Sequence, residues 1–66
     1  MAMLKITLKA ARINASLTQK EVADKLGIDR SRVAKWENNP KSLTVTELRR
    51  LLALYNVEYD NILFCD

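Results

Sequence analysis

Six cationic side chains, Lys20, Lys25, Arg30, Arg32, Lys35 and Lys41, fall within one stretch of 22 residues, interleaved with Gln19, Ser31, Asn38 and Ser42. Lys and Arg keep their positive charge and only donate hydrogen bonds, Ser donates or accepts, and Gln and Asn do both through one amide. Such a set suits a polyanion whose edges also carry donors and acceptors. Four acids, Glu47, Glu58, Asp60 and Asp66, follow that stretch, so the centre of the chain is the candidate contact surface and the C-terminal third is not.

The same inventory argues against other chemistries. No histidine is present to activate the Ser31 hydroxyl or the Cys65 thiol, or to complete a zinc set, and a lone cysteine closes no intrachain disulfide. Asp24, Asp29 and Glu37 lack metal-ligand spacing. The chain is therefore read as a non-enzyme with no catalytic residues, no metal and no cofactor. Its total charge, 11 Lys and Arg against 8 Asp and Glu, is only +3 and is less informative than its placement. The longest uncharged apolar run, Leu51 to Tyr55, is far below the roughly 20 residues that span a bilayer. Met1 to Thr7 has neither a long apolar stretch nor a small-residue cleavage site. These features predict a soluble cytoplasmic protein with no membrane partner, built as one domain over 1–66 with its core at about 8–64.

Gly27 and Pro40, the single glycine and the single proline, punctuate a chain of helical periodicities. Thr7 can cap a first helix with Leu8, Ala11 and Ala15 on one stripe and Arg12 beside it. Thr18 with Glu21 is a capping box for a second helix, Leu17 and Val22 form a hydrophobic staple, and Val22, Ala23 and Leu26 make the buried face. Gly27 ends it in a left-handed conformation, and Ile28 packs back. Asp29 caps a third helix, Arg30 to Glu37, with Val33 and Trp36 inward. Thr44 and Glu47 form another capping box, Leu43 staples to Leu48, and Leu48, Leu51, Leu52 and Tyr55 stripe a fourth helix that stops at a left-handed Asn56. Tyr59, Ile62 and Leu63 place a fifth helix in Val57 to Phe64; a strand is the alternative for so short a run. The predicted fold is all-α and compact, with five helices.

Two helices separated by only Gly27, Ile28 and Asp29 form a helix-turn-helix from Thr18 to Glu37, whose second member can project into a groove. With Val33 and Trp36 inward, Arg30, Ser31, Ala34 and Lys35 occupy the opposite face. Major-groove base edges present base-specific donors and acceptors: Arg30 can grip guanine, Ser31 can donate or accept, Lys35 can donate, and Ala34 permits close approach or contact with a thymine methyl. Arg32 lies on the flank, nearer phosphate. Gln19 and Lys20, in the first turn of the second helix, and Asn38, Lys41 and Ser42 beyond the third, are candidate phosphate contacts on either side.

The segment Leu17-Thr18-Gln19-Lys20-Glu21-Val22-Ala23-Asp24-Lys25-Leu26-Gly27-Ile28, followed by Arg30-Ser31-Arg32-Val33-Ala34-Lys35-Trp36-Glu37-Asn38, resembles the lambda repressor/Cro-type helix-turn-helix family, also called the xenobiotic-response-element family. Leu43 to Leu63 is similar to its fourth and fifth helices, so the resemblance covers about Leu8 to Phe64. It implies phosphate contact by Gln19, base reading by Arg30, Ser31 and Lys35, presentation of the next helix to the backbone by Asn38, and a partly buried ion pair between Arg12 and Glu37. The chain departs from the family at Asn39, where a glycine is usual, and Pro40 follows. Asn tolerates a left-handed backbone, which would keep the family's turn. Trp36 replaces a commoner Ile or Leu.

The expected function is sequence-specific binding of double-stranded DNA as a transcriptional regulator, a repressor of phage or mobile-element type. An antitoxin that also binds a protein toxin, and a protein-interaction adaptor that has lost DNA binding, are the alternatives. Paired domains reach half-sites about 34 Å apart, so a homodimer on a palindromic operator is expected. Leu54, Tyr59, Leu63 and Phe64 are its candidate contacts, or they complete the monomer's own core.

Overall fold

Thr7 is extended and its Oγ1 accepts from Ala10 N at 3.1 Å, satisfying a donor that the first helical turn leaves open and starting α1, Leu8–Asn14. The computed structural model describes residues 5–63. The other helices are α2, Gln19–Leu26, α3, Arg30–Asn38, and α4, Val45–Tyr55, with 3-10 turns at Pro40–Ser42 and Tyr59–Asn61. Both capping boxes form. Thr18 N donates to Glu21 Oε1 at 2.8 Å and Glu21 N to Thr18 Oγ1 at 3.1 Å; the Thr44 and Glu47 pair repeats this at 2.9 and 3.1 Å. The hydrogen bonds from Thr18 hold the exposed Glu21 carboxyl below the usual glutamate range. Asp29 occupies the cap position of α3, but its side chain makes no capping hydrogen bond.

Three helices end on one device. Ser16, Gly27 and Asn56 are left-handed, at φ 60°, 70° and 57°. Each is followed by an apolar residue whose N–H returns to the helix: Leu17 to Arg12 O at 3.2 Å, Ile28 to Ala23 O at 3.0 Å, and Val57 to Leu52 O at 3.1 Å. Leu17, Ile28 and Val57 pack against the core, so every reversal is also a hydrophobic contact.

That core joins all four helices through Leu8 and Ala11 of α1, Val22 and Ala23 of α2, Val33 and Trp36 of α3, and Leu51, Leu52 and Tyr55 of α4, with Ile62. Trp36 is buried, so the ring enlarges the interior and is not presented to a base. Leu48 is only half-buried. Among the described residues, no helix is long and apolar enough to cross a membrane.

Three expectations are corrected. Among the described residues the fold has four α-helices, not five: after Asn56 the chain makes one 3-10 turn and then runs extended. Ile6 N donates to Asn61 O at 2.8 Å and Leu63 N to Ile6 O at 2.8 Å, a parallel bridge of Ile6 with Ile62. Backbone groups that a fifth helix would have paired within itself are used instead to hold the N-terminal segment. Asn39 is not left-handed; its φ is −140° and ψ 81°. Pro40 is the reason, because the proline ring pushes the preceding residue towards extended backbone. The α3 helix also runs one residue beyond Glu37, to Asn38.

Candidate nucleic-acid interface

Gly27 turns the chain by adopting a left-handed conformation that costs other residues energy, and Ile28 seats the turn on the core. The consequence is a fixed α3 with Val33 1% and Trp36 4% exposed on its inner face. Arg30, Ser31, Lys35 and Asn38 are exposed on the outer face, and Ala34 between them is half-buried. Ser31, Arg32 and Lys35 line an open groove of about 740 Å³ with Gly27, Ile28 and Asp29. Arg30 and Ala34 lie outside that lining, one helical stripe away. The four proposed base readers therefore share the outward side of one short helix, with no neighbouring element across it in the groove lining.

Beneath that face, a cluster of side chains ties three helices together. Arg12 Nε donates to Glu37 Oε2 at 2.6 Å and Arg12 Nη2 to Glu37 Oε1 at 3.4 Å, linking α1 to the end of α3. The side chains are 11% and 6% exposed. Arg12 Nη1 also donates to Leu17 O at 2.9 Å, bracing the turn into α2. The hydrogen bond with Glu37 raises the Arg12 pKa further, so its charge is fixed. Gln19 Nε2 donates to Glu37 Oε1 at 2.9 Å, a contact across 18 positions that carries no local sequence signal.

The remaining phosphate candidates spread around these two features. Lys20 is exposed and pairs loosely with Asp24 at 3.4 Å. Arg32, on the flank of α3, approaches Glu47 at 3.8 Å while remaining 56% exposed. Its guanidinium is thus steadied beside the start of α4 and still open to solvent. Lys41 is exposed in the 3-10 turn, whereas the half-buried Ser42 commits its hydroxyl to Asn39 O at 2.7 Å. One supporting residue had no local signal: Arg50 Nη2 donates to Leu26 O at 3.3 Å, satisfying a carbonyl at the end of α2. Of the candidate dimer residues, Leu54 is half-buried against the core, Tyr59 and Leu63 are 60% and 40% exposed, and Phe64 lies outside the described residues.

Residues 8–62 match the Helix-turn-helix family profile, a span that includes all four helices, the turn at Gly27 and the bridge residue Ile62. This chain belongs to that family. It is the lambda repressor/Cro-type, or xenobiotic-response-element, group of DNA-binding transcriptional regulators. Over 56 residues the chain is 39% identical to the HTH-type transcriptional regulator ImmR of Bacillus subtilis (strain 168). That alignment covers 85% of this chain and 44% of the relative, so the chain spans less than half of the relative's length. No solved structure gives a significant match.

Proposed function

We propose that this protein is a cytoplasmic, sequence-specific transcriptional repressor of phage or mobile-element type. It lays α3 in the major groove with Arg30, Ser31, Ala34 and Lys35 towards base edges. The observation carrying this reading is the division of α3 into a buried side, Val33 and Trp36, and an outward side with Arg30, Ser31 and Lys35 exposed and Ala34 half-buried among them. Gln19, Lys20, Arg32, Asn38, Lys41 and Ser42 would fix register on phosphate, Ser42 by redirecting the hydroxyl that donates to Asn39 O in the free protein. Repression then needs only occupancy of a promoter.

The protein would act as a homodimer on a palindromic operator. A groove of about 600 Å³ between the Pro40–Ser42 turn and α4 supports this. It is lined by Leu43, Val45, Leu48, Leu52 and Tyr59, with Lys41 and Arg49 as its only charged members. Glu58 and Asp60 flank Tyr59, so a second copy related by twofold symmetry can bring its acids to Arg49 while the apolar surfaces meet, leaving Lys41 to phosphate. Tyr59 would serve both as lining and as inserted surface, and the exposed Leu63 would add to the contact.

Selection of bound sequences from a random duplex pool, followed by titrations across salt, tests the reading. The expected outcome is a symmetric motif with half-sites about 34 Å apart. Affinity should fall by about 0.9 in log K per log salt for each phosphate contact. Arg30→Ala should weaken the selected site by about tenfold more than a scrambled duplex. Absence of both enrichment and salt-dependent binding would remove the proposal, and copurification of an untagged partner without duplex binding would replace it with a protein-binding role.

A further inference from the structure

The Glu37 carboxylate serves donors from two helices at once. Oε2 accepts from Arg12 Nε at 2.6 Å, while Oε1 accepts from Gln19 Nε2 at 2.9 Å and from Arg12 Nη2 at 3.4 Å. At 6% side-chain exposure, its geometry is set by these neighbours and not by water. A carboxylate only accepts, so this contact decides which end of the Gln19 amide faces Glu37: the NH2 end. One N–H is engaged and the second remains. Without Glu37 the amide can turn over and offer either its carbonyl oxygen or its NH2.

A phosphate oxygen is also only an acceptor. It gains from an N–H and is repelled by a carbonyl oxygen, so the orientation of this amide decides whether Gln19 helps or hinders contact with a nucleic-acid backbone. Arg12 offsets the charge of Glu37, so a phosphate approaching Gln19 meets a neutralised pair and not a bare carboxylate.

We propose that Glu37 is a positioning residue for DNA binding: its hydrogen bond to Gln19 orients the amide so that an N–H stays available to a backbone phosphate. This rests on the DNA-binding reading above, and it makes a prediction opposite in sign to simple charge counting. Removing an acid from a protein that binds a polyanion should tighten binding by Coulomb attraction alone. If Glu37 positions Gln19, removing it loosens binding.

The test is a double-mutant cycle in duplex affinity. A carboxamide at position 37 keeps its one oxygen for Arg12, which makes the shorter contact, and turns its NH2 towards Gln19, so Glu37→Gln removes the acceptor that orients the Gln19 amide and favours the reversed orientation. The unaltered chain, Gln19→Ala, Glu37→Gln and the double variant are titrated against a labelled mixed-sequence duplex of about 20 base pairs. Low salt of about 50 mM keeps sequence-independent binding measurable. Circular dichroism confirms that each protein is folded at the temperature used.

Each single variant should bind about fivefold more weakly, and the double variant no more weakly than Glu37→Gln, because the two changes delete one and the same contact. Losses that multiply, tighter binding by Glu37→Gln, or unchanged binding by Gln19→Ala each overturn the proposal. Failure of the unaltered chain to bind any duplex is distinguishable from these and overturns the DNA-binding reading with it. Should Glu37→Gln fail to fold, Arg12→Met/Glu37→Leu leaves neither an unpaired charge nor an acceptor. On that background Gln19→Ala should cost no more than about twofold in affinity, because the freed amide offers its NH2 only part of the time, and a repeated fivefold loss there rejects the positioning role.

Discussion

Arg12 reaches Glu37 across 25 positions of sequence, and the cost of separating them follows from where they sit. With side chains 11% and 6% exposed, neither charge is well solvated if its partner goes. Arg12→Met should therefore lose about 3 kcal/mol, near the value for breaking a buried pair, whereas a solvated pair would give at most about 1 kcal/mol. Arg12→Met/Glu37→Leu should recover most of the loss, because what destabilises is the unpaired carboxylate. Urea melts of the three proteins check this, and a loss that stays below about 1 kcal/mol in the single variant would mark the pair as solvated. Tyr55 shows the same physics without a partner. Its hydroxyl is buried with no hydrogen bond among the described residues, and burial, aided by the charge of Glu37, holds its pKa far above the ordinary value. The unfolded phenol ionises near about pH 10 while the folded one stays protonated. The contribution is whole below about pH 10 and is lost as pH rises from there towards the folded pKa. Tyr55→Phe should flatten that alkaline decline and leave neutral-pH stability equal or up to about 1 kcal/mol higher, since it deletes an unsatisfied hydroxyl. Melts at about pH 8 and about pH 11 that fall equally in both proteins would refute it.

At the level of elements, the turn between α2 and α3 isolates a purely conformational cost. A Cβ added at Gly27 meets nothing within 4 Å, yet φ there is +70°. Gly27→Ala should thus destabilise by about 1–2 kcal/mol through backbone strain alone. The folded fraction should keep its duplex affinity, and a thermal melt unchanged from the parent would mean that the turn relaxes out of the left-handed region. This turn was legible in the sequence, as were the starts of α2 and α4, because a glycine or a capping box acts within three or four residues of itself. The outward face of α3 was legible for the same reason, from the spacing of Val33 and Trp36. What escaped the sequence acts at a distance. Ser16 is left-handed because Leu17 is pinned to α1 through its own N–H and by Arg12, not because serine prefers that backbone. Tyr59, Ile62 and Leu63 have helical spacing, but their segment is claimed by Ile6 from the other end of the chain. Asn39 was misread by residue type alone, although Pro40 beside it already carried the restriction. Gln19 with Glu37, Arg32 with Glu47, and Arg50 with Leu26 join elements whose proximity exists only after folding.

For the whole molecule, the proposed operator demands more than one domain offers, since a single recognition helix reads only a few base pairs. Two copies must be coupled, and a twofold axis makes each surface meet itself, so any substitution in the contact is felt twice. The groove beside α4 fits that requirement. Val45 stands at its rim, 71% exposed on the first turn of the helix, where it adds nothing to the monomer's core. Val45→Ser should consequently change monomer stability by no more than about 0.5 kcal/mol. Loss of a buried isopropyl group on both sides of the axis is worth more, so cooperative loading of a two-half-site operator should drop by about tenfold, or about 1.4 kcal/mol. Affinity for an isolated half-site should be unchanged, because a neutral exchange leaves Lys41, Arg49 and the duplex-facing charges in place. Titrations of full and half operators, with sedimentation to count protein per duplex, separate the two effects. Cooperativity that survives Val45→Ser would move the coupling to another surface, and equal weakening on both duplexes would mean that Val45 lies against DNA and not against a second copy.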